Sequence, residues 1–270
     1  LTVLSSSEFK CFEFTKDDYA VVLMTDGVEY SHGLFYNHEI KPAFEKLLEL
    51  IRDKRFSHEE LKNYILDLET KARELLDSYG FKNTESILNE WNYVKDWNND
   101  DWLYSLKSEK SIKGAAFTAA VMFESQYRPL DMLMYYDARP CAMNGMFATD
   151  YVCERLKGYY PFRMFNELVK LGESVKTESV CDKLFSCAAK GENSMAFVVS
   201  YFDDNDNADE MDVKISFENM GSKKRKVSYY LLDENHNEEL VRDETVTGES
   251  ISSYLKMPLF SAYLIKIEEI

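Results

Sequence analysis

The stretch Thr84-Glu85-Ser86-Ile87-Leu88-Asn89-Glu90-Trp91 indicates the fold class of this chain. We interpret it as a short β-strand that lies between two helices. The preceding helix begins at the capping box Ser57-His58-Glu59-Glu60 and ends at Gly80, a residue type typical of the position after a helix. Residues 114–122, which come later, are small and apolar on every side, and this composition predicts a buried helix.

Strands and helices continue to alternate on both sides of this stretch. The continuous apolar run at residues 19–24 predicts a buried strand, and residues 130–136 predict another. Two more helices are predicted, one that opens at Pro42 and one that runs from Pro161 to Gly172 with inward Phe162, Phe165, Leu168 and Val169. This βαβα order implies a mostly parallel sheet, and the chemistry of such folds sits at the carboxyl ends of strands. Glu90 and Asp137 each lie at such an end.

Residues 173–270 have a different pattern from the first 172. Apolar and polar residues alternate with a period of two, as in Val213, Ile215 and Phe217 and again in Tyr263, Ile265 and Ile267. Turn residues separate these segments, so we predict antiparallel strands in a β-sandwich. The predicted fold class is therefore α/β plus all-β, with a boundary near Gly172.

Composition and charge narrow the function classes. The chain has 270 residues, a formal net charge of −16 and no run of eighteen apolar residues, so neither a nucleic-acid partner nor a membrane span is expected. Its five cysteines have irregular spacing, without a C-x-x-C pair, and the four histidines do not cluster near them. No metal or cofactor is therefore expected, and free thiols favour a cytoplasmic location.

The pentapeptide Asn89-Glu90-Trp91-Asn92-Tyr93 is the most informative motif for function. A carboxylate at a strand end, with aromatic and amide neighbours, suits sugar chemistry, because aromatic faces stack on sugar rings and amides hydrogen-bond their hydroxyls. A retaining hydrolase uses one carboxylate as nucleophile and a second as acid/base, roughly 5–5.5 Å apart. The competing interpretation is that Glu90 is a solvated carboxylate beside a core tryptophan.

Residues 79–172 resemble clan A glycoside hydrolases, in particular family 39, the family of β-xylosidase type. The segments that carry the resemblance are residues 86–94, 113–120, 131–140, 157–162 and 165–168. The resemblance implies that residues 1–172 are part of a (β/α)8 TIM barrel, strands 6 to 8, and that residues 173–270 are its C-terminal β-sandwich. It also implies that Glu90 is the nucleophile of a retaining double displacement.

The chain departs from the family pattern in one respect. The family places its acid/base Glu after an Asn at the end of strand 4, whereas no Asn-Glu pair precedes residue 89 here. A whole barrel takes about 250 residues, and only 172 precede the predicted sandwich. The chain also begins with Leu1 rather than Met. We therefore expect a truncated chain that lacks the acid/base Glu and has little activity by itself.

Several other residues are weaker candidates for the site. Substrate-binding roles are predicted for residues that neighbour Glu90 or follow strands 6 to 8: Asn89, Trp91, Asn92, Tyr135, Tyr136, Asp137, His32 and Trp97. Each has an alternative interpretation: His32 as a loop residue without a site role, Trp97 as a cover for a helix, Asp137 as the partner of Arg139 in a structural ion pair. The acidic run 203–210 lacks the spacing of a calcium loop and is interpreted as a solvated turn.

Three functions remain open on this sequence. The first is a glycoside hydrolase that acts on xylosidic or related glycans, and the second is an arabinofuranosidase-type clan A enzyme with a similar strand 7. The third is a non-catalytic module that binds a carbohydrate or another protein. An open partial barrel exposes apolar sheet edges, which favours association into a homo-oligomer.

Overall fold

The computed structural model describes residues 20–24, 61–95, 101–139, 145–148 and 153–270, with side chains from Thr70 onward. The chain divides into two compact units. The first comprises the described residues up to Trp91 together with Tyr127–Tyr136, and the second comprises those in Asn92–Gln126 and Asp137–Ile270. The predicted helix after Pro42 lies outside the described residues. The predicted division of the chain at residue 172 stays a prediction.

The first unit is a parallel sheet with one described helix. Its elements are β1 (Ala20–Met24), α1 (Leu61–Ser78), β2 (Glu85–Trp91) and β3 (Met132–Tyr135). The strand order is β1-β2-β3, and both pairings are parallel, with Leu88 opposite Leu23 on one side and Leu133 on the other. The predicted strands at 19–24, 84–91 and 130–136 are therefore present, and the second of them is the central strand of the described sheet.

Local sequence explains how β2 is held. Ile87 and Leu88 are 2% and 1% exposed although they point to opposite faces, as expected for a central strand of a parallel sheet. Ser86 exchanges two hydrogen bonds with Asp131, one from each backbone N–H, at 2.7 Å and 2.9 Å. The start of β2 is thus tied to the segment that leads into β3.

The second unit contains helices and antiparallel strands. Its helices are α2 (Asp101–Lys110), α3 (Ile112–Ser125) and α4 (Tyr160–Val169), with a 3₁₀ turn at Lys157–Tyr159. Its strands are β4 (Glu173–Val175), β5 (Leu184–Lys190), β6 (Ser194–Tyr201), β7 (Met211–Phe217), β8 (Lys224–Leu232), β9 (Asn237–Thr247), β10 (Ile251–Met257) and β11 (Ser261–Glu269).

These strands form two antiparallel sheets that share one core. Six strands pair in the order β4-β5-β6-β11-β8-β9, and β7 pairs with β10. The alternating residues of the sequence pattern meet in this core, for example Phe217 from the small sheet and Phe197 from the large one, whose ring centroids are 5.6 Å apart. The helices α3 and α4 contact strands of the six-stranded sheet.

Helix α3 is buried all round, as the sequence predicts. Ala115, Phe117, Ala120 and Phe123 are 0% exposed although they lie on different faces of the helix. Helix α4 agrees less well, because Val169 is 61% exposed whereas Met164 is 0% exposed. The expectation that Val169 points inward was wrong, since the helix ends there and its buried stripe runs through Pro161, Met164 and Leu168.

A buried ionic cluster joins α3 to the turn between β6 and β7. Lys113 Nζ lies 3.1 Å from Asp204 Oδ1 and 2.7 Å from Asp206 Oδ1, and the Lys113 and Asp204 side chains are 5% and 3% exposed. Tyr93 donates a 2.7 Å hydrogen bond to Asp204 Oδ1, and burial raises the pKa of its phenol. The interpretation of residues 203–210 as a solvated turn was therefore wrong for Asp204, which is buried against Lys113, whereas the Asp206 side chain is 49% exposed.

Candidate functional site

Glu90 lies at the carboxyl end of β2 in an unusual backbone conformation. The register between β2 and β3 shifts there, since Asn89 pairs with Met134 and Trp91 pairs with Tyr135. Glu90 is thus an extra residue in the strand, a β-bulge, and its φ is +57°. A left-handed conformation is costly for a residue with a side chain, and both this strain and bulges are concentrated near active sites. Asn89 and Glu90 are half-buried.

Aromatic side chains surround this end of the sheet. The rings of Trp91 and Tyr135 meet edge to face with centroids 5.4 Å apart, and the Tyr136 backbone N–H donates to the Trp91 carbonyl at 3.0 Å. Trp91 is 2% exposed, and its Nε1 has no hydrogen-bond partner among the described residues. Tyr136 is 37% exposed. The first unit thus brings five predicted site residues to one sheet terminus: Asn89, Glu90, Trp91, Tyr135 and Tyr136.

Two more predicted site residues belong to the second unit. Asn92 donates from Nδ2 to Glu109 Oε1 at 3.0 Å. The Asp137 carboxylate is 2.7 Å from Arg139 Nε and also accepts the Arg139 backbone N–H at 3.0 Å. An ion pair with Arg139 is the alternative that the sequence offers for Asp137, and its role in substrate binding stays a prediction. His32 and Trp97 lie outside the described residues.

Glu109 is a buried carboxyl group that the sequence analysis did not identify. It lies near the end of α2, is 1% exposed, accepts a hydrogen bond from Asn92 and lies near the backbone N–H of Gly145. Burial raises the pKa of Glu109 to about 8, the nearby Asp137 adds to the rise, and Gly145, Lys110 and Asn92 oppose it. At neutral pH the carboxyl is therefore mostly protonated.

A signal for Glu109 exists in the sequence, although it is weak. Ser105, Ser108 and Glu109 are the buried residues of α2 and share one face of the helix, at spacings of three and four. A face of this kind in a sequence rich in lysine normally indicates solvent exposure. Only the tertiary partners of this helix face show whether it is buried or exposed to solvent.

A cleft of about 450 Å³ lies at the other end of β2. It is lined by Lys82 and Glu85 at the start of β2 and by Arg128 ahead of β3, among others. Glu85 is separated from Glu90 by five residues of extended chain, about 16 Å, so this cleft is not where Glu90 lies. In the part of the chain that the structure describes, no three His, Cys, Asp or Glu side chains are grouped to hold a metal ion. None of the described helices has the length and apolar character needed to cross a membrane.

Solved structures with a similar fold include glycoside hydrolases. A glucosidase from Croceicoccus marinus has a TM-score of 0.63 at 16% identity, with 78% of this chain and 52% of that chain covered. A monomeric β-xylosidase from Caulobacter crescentus CB15 has a TM-score of 0.58 at 13% identity, with 77% and 50% covered. A family 30 endoxylanase from Clostridium papyrosolvens C71 has a TM-score of 0.52 at 14% identity, with 92% and 65% covered.

These similarities define the fold and leave the family open. The chain spans about half the length of the first two structures. No protein-family model matches the chain, and no curated protein matches it in sequence. The resemblance to family 39 in particular therefore stays a prediction, whereas the mixed helix-and-sheet fold shared with glycoside hydrolases is established.

Proposed function

We propose that this chain is the C-terminal part of a retaining glycoside hydrolase, in which a partial (β/α)8 barrel carries the nucleophile Glu90 and a β-sandwich follows. The carboxylate of Glu90 attacks the anomeric carbon of the sugar, and the bond from that carbon to the leaving oxygen breaks with its electron pair. Water then displaces Glu90, and the anomeric configuration is retained. The acid/base carboxyl that would protonate the leaving oxygen is not assigned to any residue.

The observation that carries this proposal is the backbone of Glu90. A glutamate with φ of +57° at a bulge costs free energy, of order 1–3 kcal/mol for such a conformation. The position is the carboxyl end of the central parallel strand, where enzymes with parallel barrels hold their catalytic residues. Strain at such a position supports a carboxylate that is aimed for chemistry.

The substrate class is proposed from the surroundings of Glu90. Tyr135 and the more exposed Tyr136 supply aromatic surface at the same sheet terminus, and the buried Trp91 packs edge to face against Tyr135. The similar structures are named as a glucosidase, a β-xylosidase and an endoxylanase. A formal net charge of −16 also favours an uncharged ligand over an anionic one. We infer a neutral glycan, with xylosides as the first choice.

Covalent trapping tests the proposed nucleophile without acid assistance. A 2-deoxy-2-fluoro-β-xyloside with a dinitrophenolate leaving group needs no proton donor, because the phenolate departs as a stable anion. We expect one fluoroxylosyl group per chain, attached to Glu90 in the peptide map. Glu90→Gln should lower the labelling rate by on the order of 10³-fold or more. Glu85→Gln, an exposed carboxylate of the same strand, is the matched control and should label normally.

The same experiment separates the competing functions. Labelling by the corresponding arabinofuranoside reagent, but not by the xyloside, would indicate the arabinofuranosidase type. Saturable binding of xylo-oligosaccharides without labelling by either reagent would indicate a non-catalytic carbohydrate-binding module. Labelling that persists in Glu90→Gln would refute the assignment of the nucleophile.

A further inference from the structure

The buried carboxyl of Glu109 connects segments that follow two different strands. Asn92 comes directly after β2, and its side-chain amide donates to Glu109 Oε1 at 3.0 Å. Gly145 lies in the loop after β3, and its backbone N–H faces the same carboxyl without a well-formed hydrogen bond. One side chain on α2 therefore lies against two segments that are 53 positions apart in the sequence.

Glycine is the only residue type that fits at position 145. Its φ is +103°, and a Cβ atom added there would lie 1.9 Å from the carbonyl oxygen of Asp137. The loop after β3 thus passes directly against the backbone at Asp137. Any residue with a side chain would push Gly145 away from Glu109 and break this contact.

The environment of Glu109 favours the uncharged form. The residue is 1% exposed, and its Oε2 accepts no well-formed hydrogen bond from the residues that the structure describes. The charged groups that act on it are Lys110 on its own helix and Asp137, whose carboxylate is paired with Arg139. A buried carboxylate with one unsatisfied oxygen is costly, whereas a neutral carboxyl in the same place costs much less.

We propose that Glu109 is a positioning residue, which fixes the side-chain amide of Asn92 and lies against the backbone of Gly145, so that the two segments keep one arrangement. Glu109 is too deeply buried to touch a ligand, so it acts through Asn92, the second residue after Glu90. Its effect on saccharide binding rests on the proposed function and on the substrate-binding role that the sequence predicts for Asn92. The arrangement itself does not depend on that function.

Nuclear magnetic resonance of the full chain tests the arrangement directly. In ¹⁵N–¹H spectra recorded between pH 5 and 9.5, the side-chain amide of Asn92 and the backbone amide of Gly145 should shift together, with one shared midpoint. Glu109→Gln should abolish this titration and keep both signals near their acidic positions, because a neutral amide has the same shape. Glu192→Gln, an exposed carboxylate of the same unit, is the control and should leave the titration unchanged.

Three outcomes would overturn the proposal. They are separate midpoints for the two amides, a titration that survives in Glu109→Gln, and a Glu109→Gln spectrum with both amides displaced from their acidic positions. Glu109→Ala should displace both signals at every pH. If that variant does not fold, the wild-type titration and Glu109→Gln still decide the question.

Binding of xylobiose, measured by calorimetry, then tests the consequence for function. Glu109→Ala should weaken binding about tenfold, as expected when one hydrogen-bonded amide loses its orientation, and Glu109→Gln should restore it. Wild-type binding that is equally strong in Glu109→Ala would overturn the link through Asn92. Absence of xylobiose binding in the wild type would count against the proposed function, whereas the two amide titrations would still decide the role of Glu109.

Discussion

In the first unit the central strand ends in half-buried polar residues and a glutamate at φ +57°, whereas in the second unit the buried charges have partners of opposite sign or are neutralised. Lys113 lies between two aspartates, and burial keeps Glu109 protonated at neutral pH. Positive φ alone does not distinguish the two units, because Cys153, Asn219, Glu238 and Phe260 of the second unit also have it. Glu90 differs from them in its place, since it is the bulge residue at the carboxyl end of a parallel strand. Three predictions test this contrast.

The largest effect is expected at Lys113. Lys113→Met would leave the buried Asp204 carboxylate without its cation. This substitution should therefore lower the free energy of unfolding by about 3–5 kcal/mol. Urea denaturation measures the change. The matched control is Lys190→Met, which removes an exposed pair with Glu173, with side chains 46% and 69% exposed, and should cost less than about 1 kcal/mol. Equal losses of unfolding free energy in the two variants would mean that the buried ion pair of Lys113 is worth no more than the exposed pair of Lys190.

An intermediate effect is expected from pH. Burial raises the pKa of Glu109 to about 8 and that of Glu238 to about 7, above the ordinary value of 4.5. The folded chain therefore binds these protons more tightly than the unfolded chain, and stability should fall as pH rises from about 5 to 8. The slope is at most about 1.4 kcal/mol per pH unit for each group.

Urea denaturation across this pH range checks the slope. Carboxyls whose pKa is lowered by partners, such as Glu167 beside Lys170 and Lys266, change their protonation below pH 4.5. They therefore do not affect the slope between pH 5 and 8. Glu109→Gln should reduce the fall of the free energy of unfolding with pH up to pH 8, and Glu238→Gln should reduce it up to pH 7. A wild-type stability that rises between pH 5 and 8 would show that neither carboxyl is protonated in the fold.

The smallest effect, of opposite sign, is expected at Glu90. Glycine adopts a φ of +57° without strain, so Glu90→Gly should raise the free energy of unfolding by up to about 1 kcal/mol while it removes the proposed nucleophile. The control is Glu85→Gly in the same strand, where the added flexibility should cost about 0.5–1 kcal/mol. Thermal denaturation compares the two. A loss of stability at both positions would mean that Glu90 is not strained.

The regular parts of the fold could be predicted from the sequence. Apolar runs indicate the three parallel strands, and strict alternation indicates β7, whose buried and exposed residues alternate along the strand. The all-round burial of α3 follows from its small apolar residues. The polar end of β2, with Glu90, was also identified from the sequence.

The details that depend on distant partners could not be predicted. Lys113 and Asp206 are 93 positions apart, so nothing local indicates that the acidic turn is bound to a buried lysine. The buried position of Glu109 depends likewise on Asn92 and Gly145. The φ of Glu90 arises from the register shift against β3, which a single strand pattern does not contain. A local pattern reports burial and alternation, whereas pairing between remote polar groups requires the assembled structure.

The all-round burial of α3 has a consequence for synthesis of the chain on the ribosome. The Ala116 carbonyl of α3 accepts a 3.0 Å hydrogen bond from the Ser200 hydroxyl of β6, 84 positions later. At about 5–20 residues per second, translation needs roughly 4–17 s to cover that distance. Throughout this interval an apolar helix has emerged before the strand that covers it, and it is exposed to chaperones and to neighbouring nascent chains.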